Sequence, residues 1–246
     1  MNYHSNLTAP DLLPYFKHAW SRPMDYAFRH DVISDWGDKR DDDPVFGLYR
    51  KCGFWTQDEA AILYNVAKQV GAPWIDIGAH TGWTAAHIAV AESVTQVTAL
   101  DPMLDNREFV RRAFENLNQI PERRPILLVP ERSDQYFARL PHARARGIVI
   151  DADHDAPNPL NDAKMAAAHL EPDGVILFHD FTGGPVQQSV LYLMDLGFKC
   201  RVYYTPHMVA LCWRGDFKPP DHTPEAYCFK CLTDGRMKHF PFERCK

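Results

Sequence analysis

The sequence predicts an α/β fold: a Rossmann-like, doubly wound, mostly parallel seven-stranded sheet with an antiparallel C-terminal hairpin and an extension at each end. Three observations lead there. Short apolar runs alternate with amphipathic helical stretches between residues 74 and 213. The first run breaks into a loop bounded by glycines, Gly78-Ala79-His80-Thr81-Gly82, just before a helical stretch. The second, fourth and fifth runs lead directly into Asp101, Asp151 and His179-Asp180.

Residues 1–55 do not follow the alternation and carry the acidic run Asp41-Asp42-Asp43. They read as a helical and irregular extension whose Trp20, Tyr26, Phe28, Trp36, Phe46 and Tyr49 could cover a pocket or meet a second subunit. Thr56 and Glu59 have the spacing of a capping box, so a helix is expected from there to about Val70, ended by Gly71-Ala72-Pro73. Strands are then expected at 74–77, 96–100, 126–129, 148–150 and 175–178, and helices at 84–91, 108–117, 134–140, 162–170 and 186–196. Segments 199–204 and 208–213, joined by Thr205-Pro206-His207, read as an antiparallel hairpin. Residues 56–214 thus form one domain, preceded by the extension 1–55 and followed by a tail, 215–246.

The 246 residues suffice for such a domain, and 46% hydrophobic with 24% charged residues is ordinary for a globular chain. A net charge of −5 with no Lys/Arg block argues against a nucleic-acid partner, which needs a basic footprint. No apolar run approaches the ~20 residues of a membrane span, and residues 1–14 lack a secretory pattern. The expected location is cytoplasmic, with the six cysteines as thiols and no membrane partner. A homo-oligomer is compatible with the sequence.

In open α/β sheets ligands lie beyond the carboxyl ends of the strands. Gly78 and Gly82 allow a tight turn and a close approach of backbone to ligand, and the following helix would aim free N–H groups at it. Asp101 stands 19 residues after Gly82, where a carboxylate suits ribose hydroxyls. If the fourth and fifth strands are neighbours, ~4.8 Å apart, Asp151 and Asp180 emerge at one edge and could share a hard divalent ion such as Mg²⁺.

This combination resembles class I S-adenosylmethionine-dependent methyltransferases. Their first loop reads acid, any residue, Gly, three variable residues, Gly, matched here by Asp76, Gly78 and Gly82. The resemblance implies S-adenosylmethionine as cofactor, with Asp76 and Gly78, in a loop that includes Ala79 and Gly82, near its methionine part. It also implies Asp101 on the ribose and Ser133, within 131–134, at the adenine. The G-x-G-x-x-G fingerprint of a dinucleotide oxidoreductase is missing.

The stretch 147–181 is similar to a subgroup containing macrolide-sugar O-methyltransferases and cephalosporin-hydroxylase-type proteins. There the fourth strand ends in Asp-x-x-His and the fifth in an acidic pair or His-Asp. Carried over by position, Asp151, which also borders the cofactor, and Asp180 are metal ligands, and His154 is the general base. His179 is either a weaker ligand or orients Asp180. The implied activity is Mg²⁺-assisted O-methylation of a hydroxyl on a small molecule such as a sugar or natural product. The alternatives are a metal-independent methyltransferase using His154 or His179, and a non-catalytic Rossmann-like protein that binds a nucleotide-like ligand.

The remaining polar residues read as structural. Asp153 or Asp155 would cap a helix, Asp162 would start one, and His80 would make a local hydrogen bond. Cys228 and Cys231 have the spacing of half a zinc site, with His239 and Cys245 to complete it, but no second tight pair follows. Free thiols on a packed extension are expected instead.

Overall fold

The computed structural model describes residues 6–16, 55, 57–205, 207–222 and 240–245. After helix α1 (Gln57–Val70), strands and helices alternate: β1 (Ala72–Ile77), α2 (Trp83–Ala89), β2 (Val94–Leu100), α3 (Arg107–Leu117), β3 (Ile126–Val129), α4 (Ser133–Arg139) and β4 (Ala145–Ile150). There follow α5 (Asn158–His169), β5 (Leu170–Phe178), α6 (Gly184–Asp195), β6 (Lys199–Tyr203) and β7 (Val209–Trp213). The seven strands form one sheet in the order β3-β2-β1-β4-β5-β7-β6. β1 to β5 pair in parallel, and β7 runs antiparallel to both β5 and β6. The fold class read from the sequence is the one observed.

Successive side chains of a strand face opposite sides, so a sheet covered twice needs apolar residues on both. Trp74, Val149, Val175 and Leu177 pack on one face with Ile62, Leu63 and Val66 of α1. Ile75, Ile77, Ile148, Ile150, Ile176 and Phe178 pack on the other, against Val190 and Leu193 of α6. β1 and β4 lie close because Gly147 faces Trp74; a Cβ there would stand 2.2 Å from the indole.

Most elements start or end a residue or more from the expected bounds, and three of the shifts have a clear local cause. α5 begins at Asn158, not Asp162, because Pro159 in the first turn needs no N–H partner and does not break the helix. β5 begins at Leu170, opposite Ala145, and the pairing then shifts so that Val175 faces Gly147. Met208 belongs to the turn, not to β7, since its φ is 59°.

The expected extension aromatics lie outside the described residues, as do Thr56, Pro206, Cys228, Cys231 and His239. Leu12 and Phe16 are buried, Phe16 edge-on to Trp83 with ring centroids 4.9 Å apart. At the other end Phe240 packs edge-on to Phe181 at 4.6 Å, and Arg244 pairs with Asp195 at 3.0 Å. Among the described residues, no helix is long and apolar enough to cross a membrane.

Candidate active site

The carboxyl ends of β1, β2 and β4 open onto a cavity of about 630 Å³, within the size range of small-molecule sites. Gly78, Ala79, Asp101, Ser133, Asp151 and His154 all line it. The topology explains this meeting: β1 sits between β2 and β4, so three strand ends separated in sequence become neighbours.

Gly78 has φ 89°, and a Cβ on it would lie 2.2 Å from the Asp151 carbonyl oxygen. Glycine is therefore required twice, by the dihedral and by the close approach. His80 follows with φ 47° and donates its backbone N–H to Asp101 Oδ2 at 2.8 Å. Its ring makes the expected local contact, Nδ1 lying 3.3 Å from Thr81 Oγ1. Met103 N–H donates to Asp101 Oδ1 at 2.8 Å. Two backbone donors thus fix the Asp101 carboxylate, and each oxygen retains a lone pair for a ligand hydroxyl.

Two expected cofactor residues stand behind this wall. Asp76 is fully buried and does not border the cavity. In the alternation of β1 it shares a face with Trp74, so it points to α2, where the Thr84 hydroxyl donates to it. Burial raises its carboxyl to about 7. Gly82 (φ 93°) also lies off the cavity, at the start of α2, where a Cβ would meet Leu117. Both shape the loop rather than face its ligand. Asp162 does not start α5 but lies inside it, accepts the Ser133 hydroxyl, and borders the cavity. Neither Asp153 nor Asp155 is the residue that caps α5, which Pro157 precedes; Asp153 instead accepts from Asp155 N–H at 2.9 Å and the Asn158 amide at 2.7 Å.

Because β4 and β5 pair with Ile150 opposite Phe178, Asp151 and, one residue past its level, Asp180 leave the sheet at the same edge. Between them stands His154, with Nε2 3.5 Å from Asp151 Oδ1 and 3.6 Å from Asp180 Oδ2. Ligand atoms of these three residues all lie within 4.8 Å of one another. Two ligands about 2.1 Å from one ion at 90–110° stand roughly 3.0–3.4 Å apart, so the spacing and oxygen-rich donor set fit a divalent cation. Burial opposes the charge on His154, but Asp151 and Asp180 outweigh it and raise its pKa. Asp180 has φ 49°, a left-handed conformation uncommon outside glycine and best tolerated by Asp and Asn.

His179 is fully buried behind the pair. Its Nδ1 lies 3.2 Å from Asp151 Oδ1 and 3.6 Å from Asp180 Oδ2, while Nε2 lies 3.3 Å from Glu59 Oε2. Burial works against its charge, but Asp151, Asp180 and Glu59 hold its pKa well above the usual histidine value. Each of its ring nitrogens already faces a carboxylate oxygen. This placement speaks for the orienting role and against His179 as a ligand. In return, the His179 charge overrides burial and brings Asp151 down to about 2 and Asp180 well below the carboxylate range.

The sequence reading missed three residues here. Trp55 donates its indole N–H to Asp151 Oδ2 at 2.6 Å and stacks on His179, ring centroids 4.4 Å apart. Glu59 is fully buried and takes the His207 backbone N–H at 2.9 Å on Oε1. His207 Nδ1 lies 3.2 Å from Glu59 Oε2. The available signal was the apolar run Ala60-Ala61-Ile62-Leu63 after Glu59, which places all sides of that turn in the core.

Residues 75–181 match the sequence model of a family described as a methyltransferase domain. This segment holds the ends of β1, β2 and β4 and both Asp151 and Asp180. A candidate O-methyltransferase of Klebsiella pneumoniae superposes with a TM-score of 0.55 at 17% identity, over 77% of this chain and 97% of that one. A candidate caffeoyl-CoA O-methyltransferase of Staphylococcus aureus gives 0.55 at 13% identity, over 78% and 100%. An rRNA methylase of Streptococcus thermophilus gives 0.51 at 12% identity, over 63% and 96%. At such identities the likeness is one of fold. No curated protein matches the chain.

Proposed function

We propose that the chain is an S-adenosylmethionine-dependent methyltransferase that transfers the methyl group to a hydroxyl of a small molecule, with a divalent cation at Asp151 and Asp180. The single observation that carries this reading is the convergence of Asp101, Asp151 and His154 on one cavity floored by Gly78, within the segment that matches a methyltransferase domain. S-adenosylmethionine would supply an activated methyl group, and a cation such as Mg²⁺ a Lewis acid that lowers the pKa of a hydroxyl.

The protein's own residues supply binding and alignment. Asp101 accepts ribose hydroxyls on lone pairs its two backbone donors leave open. Ser133, whose proton is committed to Asp162, offers an acceptor at the adenine end. Gly78 and Ala79 let the backbone lie against the methionine part, with Asp151 beside them on the cavity wall. Asp76 and Gly82 hold that loop from behind. His154, on the cavity wall, accepts the hydroxyl proton as the methyl group is attacked. The small-molecule reading rests on the size of the cavity and the net charge of −5.

The test uses calorimetry with S-adenosylhomocysteine and turnover across a panel of small hydroxylated acceptors. Asp180→Ala should abolish turnover and leave S-adenosylhomocysteine affinity within about threefold, since Asp180 does not border the cofactor cavity. EDTA should stop turnover and added Mg²⁺ restore it; turnover indifferent to EDTA would transfer the work to His154 alone. No measurable S-adenosylhomocysteine binding would leave the non-catalytic alternative.

A further inference from the structure

Three side chains from outside residues 75–181 gather behind the two aspartates: Trp55 ahead of α1 reaches Asp151, Glu59 in the first turn of α1 reaches His179, and His207 in the β6–β7 turn reaches Glu59. Trp55 is 3% exposed and Glu59 is 0% exposed, so neither serves solubility. The indole of Trp55 covers the face of His179, with an interplanar angle of 15°, and its N–H occupies Asp151 Oδ2. Glu59 Oε2 faces His179 Nε2 at 3.3 Å and His207 Nδ1 at 3.2 Å. The ring is thus held on one face and at one edge, which leaves its Nδ1 aimed at Asp151 and Asp180.

Two carboxylates at the ends of adjacent strands repel each other. Left to themselves they would turn apart, and Asp180 already occupies an uncommon backbone conformation. A donor fixed between them counters that tendency before any ion arrives. A fully buried carboxylate is costly and weak evidence of stabilisation in itself, so the placement of Glu59 calls for another benefit. Groups that orient ligating side chains typically change metal affinity ten- to a hundredfold when removed.

We propose that Glu59 and Trp55 are positioning residues that, through His179 and directly on Asp151, hold Asp151 and Asp180 at the spacing a shared divalent cation requires. This rests on the reading of Asp151 and Asp180 as the cation's ligands. Glu59 fixes the ring angle of His179, and Trp55 anchors Asp151 by Oδ2, which keeps Oδ1 on the side of His179 and His154. The catalytic edge is therefore assembled by segments on both sides of the methyltransferase-domain match.

The experiment uses the full chain and Mn²⁺ as the probe, with binding and the spectrum of the bound ion followed by electron paramagnetic resonance. Calorimetry with S-adenosylhomocysteine serves as the control for fold. The wild type should bind one Mn²⁺ and Asp180→Asn should lose it. Glu59→Gln should bind Mn²⁺ ten- to a hundredfold more weakly with an altered spectrum, while S-adenosylhomocysteine affinity stays within about threefold. A merely structural role would lower both affinities together, and that result would overturn the proposal.

Mn²⁺ affinity in Glu59→Gln within twofold of wild type also overturns it, with the ligand reading intact provided Asp180→Asn still loses the ion. If Asp180→Asn binds Mn²⁺ normally, the ligand reading itself fails. The atoms of Glu59, His179 and His207 also lie within 4.8 Å of one another. Two Mn²⁺ per chain, one of them lost in Glu59→Gln, would make Glu59 a ligand and overturn its positioning role. Should Glu59→Gln not fold, Trp55→Phe keeps the stacking surface and removes only the N–H on Asp151. Unchanged Mn²⁺ binding in that variant then decides against the proposal, and a tenfold or greater loss supports it.

Discussion

Asp76 shows how one side chain can shape a site it does not touch. Its carboxyl, raised by burial to about 7 from 3.8, keeps a proton in the folded chain that the unfolded chain releases. The folded state therefore binds more protons between about pH 4 and pH 7, and stability falls as pH rises through that window. Above pH 7 the buried charge costs on the order of 4 kcal/mol. Asp76→Asn should flatten this slope and raise the unfolding midpoint at pH 8 by roughly 5 °C or more, read by thermal denaturation across pH. Its S-adenosylhomocysteine affinity should stay within about threefold; a tenfold loss would place the carboxylate on the ligand after all. His154 has the opposite requirement. Only the neutral ring accepts a proton, so turnover should climb with pH as the ring loses its proton. His154→Ala should cost about 10²–10⁴-fold in turnover and remove that limb of the pH profile.

The loop between β1 and α2 lies where the sequence places it, with Gly78 and Ala79 on the cavity and Asp76 and Gly82 behind it. Gly78→Ala faces a positive φ, worth roughly 1–2 kcal/mol of strain, and a backbone collision with Asp151. The variant should lose S-adenosylhomocysteine binding beyond calorimetric detection and melt several degrees lower, whereas Ala79→Gly should do neither. That loop was legible because its chemistry is local: an apolar run, an acid, then glycines at fixed spacing. The ends of β2, β4 and β5 were legible for the same reason. Glu59 was not. Its spacing from Thr56 already had an explanation as a capping box, while its observed partners, His179 and His207, lie 120 and 148 residues away. Trp55 escaped because nothing in its neighbours announces a contact 96 residues distant. The start of α5 was misread because Pro159 looks like a breaker until its place in the first turn is known.

At the scale of the whole molecule, the strand order sets β1 between β2 and β4 and so gathers Asp101, Asp151 and His154 at one edge of the sheet. S-adenosylhomocysteine at about a hundred times its Kd should add roughly 2.7 kcal/mol to folding stability and raise the midpoint by about 5–10 °C. The contact between Gly78 and the Asp151 carbonyl has a wider effect. Two turns that touch backbone to backbone behave as one mechanical part, so an empty donor seat leaves the acceptor seat slack. Adenosine, which fills only the end beside Asp101 and Ser133, should leave amide exchange at 151–154 unchanged, and S-adenosylhomocysteine should slow it. The expected order is donor before acceptor, which product-inhibition kinetics would check.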